Sequence, residues 1–371
     1  MQKIGILGGG QLGRMLLQAA ANYPVETYVM ENDAECPSAH LCHHFIKGDI
    51  TKFDDVYNFG KNLTAITIEI ESVNVDALQK LENEGVKVYP KPSALSIIKN
   101  KIHQKQFYKE HNIPSAEFVI TNHSDELKNY KKYFPAIHKV ALGGYDGRGV
   151  ISLNNEFDTG FNQPAVLEKK INIKKEISII AATNGSEMVY YPAVEMIFHP
   201  ELNLLDYQVS PAELSEKILQ RLQTIAAKVV KNLNSPGIFA VEMFLDKENK
   251  IWVNETAPRV HNSGHHTIEA NYSSQFDMLW RIMLGYPLGN TKHILPAAIV
   301  NILGEERSNG AAIYKGLEDI LNLQNVFVHL YGKTQTRPGR KMGHVTILND
   351  NRQELINTAD KIKQKLKVIS Q

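Results

Sequence analysis

Only two cysteines, Cys36 and Cys42, occur in 371 residues. That is too few for a secreted fold held by crosslinks, so a reducing, cytoplasmic setting is expected. Charge of one sign is also missing: 41 Lys and Arg stand against 40 Asp and Glu. Without a global basic field, neither nucleic acid nor an anionic membrane is an expected partner, and any recognition of anions has to be local. No run approaches the roughly 20 apolar residues that cross a bilayer. The start runs straight into Ile4-Gly5-Ile6-Leu7, without the basic region, apolar stretch and cleavage site of a secretion signal. Internal repeats and low-complexity segments are absent as well. What the chain does have is 43% hydrophobic and 22% charged residues, enough to fill two or three packed subdomains.

Residues 1–92 alternate between periods. A strand over 4–7, a glycine turn, a helix through Leu16 and Ala20, and a strand over 25–30 are followed by a strand near 66–68, a helix around 75–81 and a short strand at 86–88. This pattern predicts a doubly wound parallel sheet. Tyr89-Pro90-Lys91-Pro92 ends the unit, and a helix over 93–110 stops before Ile113-Pro114. From 117 to 209, strands punctuated by Asn184-Gly185 and a run of glycines predict a small antiparallel lobe. Leu214, Ile218, Leu222, Ile225 and Val229 recur at helical spacing and predict an amphipathic helix over 211–232. Strands over 238–245 and 251–254, joined by the polar turn 246–250, come next. Strands near 298–302, 326–331 and 344–348 and a last helix over 353–366 complete the reading. The expected fold class is α/β and α+β: an N-terminal doubly wound parallel sheet over 1–98, a small central lobe over 99–185 and a C-terminal mixed sheet over 186–371.

Gly8, Gly10 and Gly13 fit a dinucleotide-type glycine loop, with Glu31 closing the second strand where such folds place a ribose acid. The same turn presents backbone N–H groups to any small anion or serves only as a turn, so a nicotinamide site, a phosphate site and a structural turn all remain open here. A second loop, residues 143–149, has four glycines in seven positions between two strands. It reads either as a flap whose amides close over a polyphosphate beside Lys139, or as a flexible hairpin tip. The strand 165–170 ends in Glu168-Lys169-Lys170, a suitable edge for an adenine and its ribose. Glu242 sits in an apolar strand and Glu255 ends its partner. With the turn centred near Glu248, the two carboxylates fall nearly opposite each other. Two glutamates with Asn254 alongside suit magnesium, and a pair of solvated surface glutamates is the bland alternative. His261 and His265 lie in a glycine-broken segment without a cysteine cluster, which favours an anionic substrate over zinc. Lys333, Arg337, Arg340 and Lys341 surround Pro338-Gly339 and read as a clamp for one phosphate monoester or as a solvated loop.

Together, residues 5–15, 67–74, 143–149, 254–265 (Asn-Glu-Thr-Ala-Pro-Arg-Val-His-Asn-Ser-Gly-His) and 337–344 (Arg-Pro-Gly-Arg-Lys-Met-Gly-His) resemble the 5-(carboxyamino)imidazole ribonucleotide synthase family of the ATP-grasp superfamily. The likeness runs over nearly the whole chain. Two departures are modest: Asn100-Lys101 stands where the family often has Asp before the cation, and Asn32-Asp33 where it has Asp-Pro. The resemblance implies an ATP-grasp architecture and an ATP-dependent carboxylation of aminoimidazole ribonucleotide with bicarbonate. It implies ATP contacts from Lys101, Lys139, Gly144, Tyr145, Asp146, Gly147, Arg148, Gly149, Val150, Glu168, Lys169, Lys170, Ile171, Glu176, His199, Asn254 and Glu255. Magnesium would lie on Glu242 and Glu255. Ribonucleotide contacts are implied for Gln11, Leu12, Glu69, Tyr145, Asp146, Arg148, Arg259, His261, Asn262, Lys333 and Arg340, with Asp146, Arg148, Arg259 and Lys333 at the reacting groups. A homodimer is implied too.

Overall fold

The structure, a computed structural model, describes residues 1–144, 149–198 and 205–371. Its first unit is a five-stranded parallel sheet made of β1 (Gln2–Leu7), β2 (Val25–Glu31), β3 (His44–Lys47), β4 (Ala65–Ile68) and β5 (Lys87–Tyr89), in the order β3-β2-β1-β4-β5. Helices α1 (Gln11–Ala20), α2 (Phe53–Gly60) and α3 (Val75–Asn83) alternate with the strands. Strand alternation sends Ile4 and Ile6 to the side where α1 packs and Leu7 to the side of α2 and α3. Burial on both faces is what a central parallel strand requires. The sequence reading missed β3 and α2. Strand β3 is short and only partly buried, so it carries little apolar signal.

The single helix expected over 93–110 is two helices, α4 (Pro92–Ile98) and α5 (Lys101–Glu110). Asn100 breaks the run: its backbone is extended and its side chain accepts a hydrogen bond from the Ile102 N–H at 2.9 Å. This is an N-cap, and it sets Lys101 at the first position of α5.

The small lobe is a four-stranded sheet in the order β6-β9-β7-β8, from β6 (Phe118–Thr121), β7 (Ala136–Val140), β8 (Val150–Leu153) and β9 (Ala165–Lys169). The lobe read over 117–209 is therefore too long. β10 (Ile173–Thr183) leaves it, pairing along its length with β14 (Gly237–Asp246). Its last seven residues are all buried, because helices cover both of its faces, and an edge lobe offers no such cover.

β10 thus belongs to a nine-stranded sheet in the order β15-β14-β10-β12-β13-β16-β20-β18, with β11 (Met188–Tyr190) paired to β10. The further strands are β12 (Val194–Phe198), β13 (Leu205–Ser210), β15 (Ile251–Ala257), β16 (Ala297–Leu303), β18 (Val326–Leu330) and β20 (Lys341–Leu348). Helix α6 (Glu216–Leu233) lays Leu222, Ala226, Val229 and Val230 against one face. It begins later than the reading from 211, at Glu216, because the backbone of Ser215 before it is still extended. A short α7 (Thr267–Ala270) precedes α8 (Gln275–Leu284), which packs on the opposite face and against α1. β17 (Gly310–Lys315), β19 (Gln335–Thr336) and β21 (Lys367–Ser370) form a separate three-stranded sheet, with α9 (Leu317–Leu321) and α10 (Arg352–Lys365) beside it. The last helix matches the expected one, with the Asn351 side chain capping it through the Gln353 and Glu354 amides.

Candidate active site

The hairpin β14–β15 builds the acidic centre. Asp246 fixes its turn, accepting from the Glu248 N–H at 2.9 Å, the Lys250 N–H at 2.8 Å and Trp252 Nε1 at 2.9 Å. From that turn the register runs Leu245 to Ile251, Phe244 to Trp252 and Met243 to Val253, and then shifts so that Glu242 lies opposite Glu255. A β-bulge at Asn254 causes the shift. Plain alternation would turn Asn254 and Glu255 to opposite faces; the bulge brings both into the same cleft, a recognised use of bulges beside active sites. The cleft is lined by Lys101, Gln104, Lys105, Lys139, Glu168, Asn254 and Glu255.

Three lysines converge there. Lys101 Nζ lies 2.9 Å from Glu255 Oε2, and Lys139 Nζ donates to Asn254 Oδ1 at 2.7 Å. Glu168 divides its two oxygens between Lys105 and Lys139, each at 3.2 Å. Lys105 was not among the expected contacts, although it is 2% exposed and Glu168 is 5% exposed. The signal was available, since Lys105 follows Lys101 by four residues and shares its helix face. Gln104 locks α5 to β15, accepting from the Thr256 N–H at 3.0 Å and bonding Tyr108 at 2.7 Å.

The charges do not balance. Burial, and then Glu255 and Glu176, push the Glu242 carboxyl well above the usual carboxylate range. Lys101 holds Glu255 down at about 2. Among the residues that line the cleft, three lysines stand against two carboxylates, Glu168 and Glu255. The shortage falls on Lys105, which burial pulls down to about 8 in spite of Glu168. Glu168, with two lysines, stays below the usual carboxylate range although burial opposes this. Burial also raises Glu176, on β10, to about 7. A buried cleft with surplus positive charge is suited to a polyanion.

Glu242 and Glu255 with Asn254 form a donor set of hard oxygens. A buried carboxyl set opposite a second carboxylate is where a divalent cation would relieve both the burial and the repulsion. Among the described residues no group of three or more His, Cys, Asp and Glu side chains could hold a metal. Hard oxygen donors of this kind are what magnesium takes, with phosphate and water as its remaining ligands. His261 turns Nε2 to Glu242 at 3.4 Å and Nδ1 to Ser263 at 2.9 Å, while His265 is fully buried with Nδ1 facing Gln275.

The N-terminal glycine loop is filled by the protein's own carboxylates. Glu69 accepts from the Gly10 N–H and, at 3.3 Å, from the Leu12 N–H. Glu31 accepts from the Gly9 N–H at 3.1 Å and the Asn32 N–H at 2.8 Å. The amides that would cradle a pyrophosphate are thus engaged, and Glu31 is an internal cap, so the nicotinamide reading loses its site. A Cβ at Gly10 would stand 2.3 Å from Glu69 Oε1. Gly10→Ala is expected to displace that carboxylate and cost about 1–3 kcal/mol of stability by urea unfolding; an unchanged midpoint would refute this role for the glycine.

Of the other expected contacts, Lys333 reaches this loop directly, through Gln11. Arg259 holds Glu71 through two contacts, Nε to Oε1 at 3.0 Å and Nη2 to Oε2 at 3.2 Å, across 188 residues of sequence. Asn262 is a partly buried residue whose amide atoms are shielded from solvent, and neither finds a hydrogen-bond partner among the described residues. Lys333 Nζ donates to Gln11 Oε1 and to the Lys341 carbonyl, both at 2.7 Å. Arg340 donates to the Gln335 carbonyl at 2.7 Å, and Arg337 is exposed. At the lobe edge, Lys169 and Lys170 extend exposed side chains while their amides donate to the Glu117 and Pro135 carbonyls. Ile171 and Val150 are partly buried. Gly149 accepts from the Val140 N–H at 2.9 Å, at a φ of 73° that favours glycine. Tyr145, Asp146, Gly147, Arg148 and His199 lie outside the described residues.

The chain matches three family models: the ribonucleotide synthetase preATP-grasp domain over residues 1–99, the ATP-grasp domain over 106–276 and the phosphoribosylaminoimidazole carboxylase C-terminal domain over 297–358. It is 33% identical to an N5-carboxyaminoimidazole ribonucleotide synthase of Staphylococcus epidermidis, over 94% of this chain and 92% of that one. The solved N5-carboxyaminoimidazole ribonucleotide synthetase of Thermotoga maritima superposes with a TM-score of 0.91 at 36% identity, covering 100% of both chains. An N5-carboxyaminoimidazole synthase of Aspergillus clavatus, solved with ADP and 5-aminoimidazole ribonucleotide, superposes with a TM-score of 0.87 at 31% identity, over 97% and 99% of the two chains. Some relatives are longer: the chain spans 64% of a plant phosphoribosylaminoimidazole carboxylase to which it is 37% identical.

Proposed function

The chain belongs to the N5-carboxyaminoimidazole ribonucleotide synthase family, and we propose from that premise that it joins bicarbonate to the amine of 5-aminoimidazole ribonucleotide at the expense of ATP. The products are the N-carboxy ribonucleotide, ADP and phosphate. The observation that carries this reading is the cleft in which Lys101, Lys105 and Lys139 converge on Glu168 and Glu255, beside the bulged hairpin that sets Glu242 opposite Glu255.

Bicarbonate is a poor electrophile, so the chemistry starts with transfer of the γ-phosphoryl group to one of its oxygens, giving carboxyphosphate. Such a transfer needs positioning and charge stabilisation more than covalent help. On binding, Lys101 and Lys139 exchange carboxylate and amide partners for phosphate oxygens. Bound at Glu242 and Glu255, magnesium supplies charge neutralisation for the phosphates. Gly144, Gly149 and Val150 close the flap over the polyphosphate, keeping a water-sensitive intermediate from hydrolysis. Glu168 and the strand end through Ile171 take the nucleoside, with Glu176 and His199 beside it.

The ribonucleotide lies between the N-terminal glycine loop and the C-terminal sheet. Gln11, Leu12, Glu69, His261 and Asn262 orient it, and Lys333 and Arg340 hold its phosphate. Arg148, Arg259 and Lys333 steady anionic oxygens. Asp146 orients the attacking amine and accepts its proton, so Asp146→Asn should lower carboxylation while leaving ATP affinity within about twofold; equal losses in both would remove that role. The same reading makes the protein a cytoplasmic homodimer with a first working unit at 1–98, and the boundary read at 185 moves ahead of β10, which belongs to the large sheet.

The test is ADP release with magnesium, ATP and bicarbonate, with and without aminoimidazole ribonucleotide, run beside formate and glycinamide ribonucleotide. Turnover that requires aminoimidazole ribonucleotide supports the reading. Turnover only with the second pair would make the chain a formate-dependent transformylase, and silence in both would leave a non-catalytic binding module.

A further inference from the structure

Arg14 has no part in the site as described, yet it stands at its phosphate end. It lies on α1, three residues after Gln11, so the two side chains share a helix face. Gln11 already holds Lys333 Nζ at 2.7 Å. The residue before that lysine, Gly332, has a φ of 75° and so belongs to glycine. With no side chain there, the Arg14 guanidinium comes close: Nη1 is 3.5 Å and Cζ 3.8 Å from where a Cβ on Gly332 would stand. Lys333 and Arg14 therefore flank one spot at the junction of the first unit and the C-terminal sheet.

The bonding of Arg14 is sparse for a partly buried guanidinium. Nη1 donates to the Pro37 carbonyl at 3.2 Å. Among the described residues its side chain has no other hydrogen bond and no carboxylate partner. Other cations near the centre are neutralised: Lys101 by Glu255, Arg259 by Glu71. Arginine carries five N–H donors in a planar fork matched to phosphate oxygens. A cation left without a counter-charge, next to a lysine read as a phosphate grip, fits an anion brought by a ligand. A purely structural strap from α1 to residue 37 needs only the one hydrogen bond and leaves the charge idle.

We propose that Arg14 is a further arm of the phosphate grip, binding the monoester of the ribonucleotide together with Lys333. This rests on the proposed substrate and deepens it, because the phosphate would then be held from α1 as well as from the C-terminal loop. Bound across that junction, the phosphate would distinguish nucleotide from nucleoside.

The experiment is steady-state kinetics of the full chain with aminoimidazole ribonucleotide and with its dephosphorylated nucleoside, for the wild type, Arg14→Gln, Arg14→Lys and Lys333→Gln. Arg14→Gln should raise KM for the nucleotide about 10- to 100-fold, leave KM for ATP within about twofold and leave the nucleoside unaffected. Arg14→Lys should recover part of the loss, and thermal unfolding should confirm that each variant folds. Equal losses for nucleotide and nucleoside, or an unchanged nucleotide KM, would overturn the role of Arg14. If Lys333→Gln alone shows the phosphate-dependent loss, the Arg14 inference fails and the substrate reading stands. If neither variant separates nucleotide from nucleoside, the phosphate grip itself is wrong.

Discussion

Glu255→Gln is expected to lower ADP formation about 100- to 1000-fold while the protein stays folded. The substitution keeps the volume of the side chain and removes its charge, which serves two partners. In the free protein that charge neutralises Lys101, 2.9 Å away and 21% exposed. In the working enzyme it faces Glu242 across the bulged hairpin, where the pair is read as the magnesium site. Glutamine gives neither Lys101 nor a divalent cation its counter-charge. ADP formation titrated with magnesium checks this: the variant should need far more metal for any residual rate. Glu248→Gln is the control, since Glu248 sits on the exposed turn of the same hairpin and, among the described residues, forms its ion pair with Lys250. An unaltered rate and magnesium dependence in Glu255→Gln would remove the acidic pair from the mechanism.

Lys105→Met should cost about 3 kcal/mol of stability, at the low end for breaking a buried ion pair, because Glu168 keeps Lys139 as its second partner. It should also change how nucleotide binding depends on pH. The Lys105 ammonium titrates near 8 in the free protein because burial outweighs a carboxylate it has to share. A polyphosphate in the cleft favours its charged form and raises that value. Binding near pH 8 therefore takes up a proton, and affinity is highest below about 8 and falls as pH rises through it. Calorimetry of ADP binding in buffers of different ionisation heat measures the uptake directly. Wild-type protein should take up more of a proton at pH 8 than Lys105→Met, and the difference is the share of Lys105, because Glu242 titrates in both. Equal uptake in both would place the titrating group elsewhere.

The residues carried the architecture in proportion to how locally it is encoded. The parallel sheet of the first unit, the amphipathic α6 and the hairpin of Glu242 and Glu255 follow from periodicities that need no tertiary knowledge. The bulge at Asn254 does not: counting from the turn at Asp246–Lys250 brings Glu242 opposite residue 254, and only the register shift seats Glu255 there. Asn100 reads as one more polar position in a helix until its side chain is seen capping α5. β10 was assigned to the small lobe because glycine and asparagine turns flank it, whereas its buried run of residues places it in the middle of the large sheet. The glycine loop misleads most. A strand, three glycines and a helix announce an anion, and the anions turn out to be Glu69 and Glu31, the first of them 59 residues away from Gly10. The pairing of Arg259 with Glu71 is equally remote. Lys105 was within reach of helical spacing, but a lysine on a polar helix reads as solvated until its burial is known.

The most direct measurement is the fate of bicarbonate oxygen during turnover. With bicarbonate labelled in heavy oxygen, ATP and aminoimidazole ribonucleotide, transfer of the γ-phosphoryl group to a bicarbonate oxygen and later cleavage of the carbon–oxygen bond leave one labelled oxygen in each phosphate released. The account predicts that label, only while aminoimidazole ribonucleotide is consumed and one carbamate is formed per ADP. Unlabelled phosphate accompanying carbamate formation would contradict it, because ATP would then be cleaved by water and the cleft would not be activating bicarbonate.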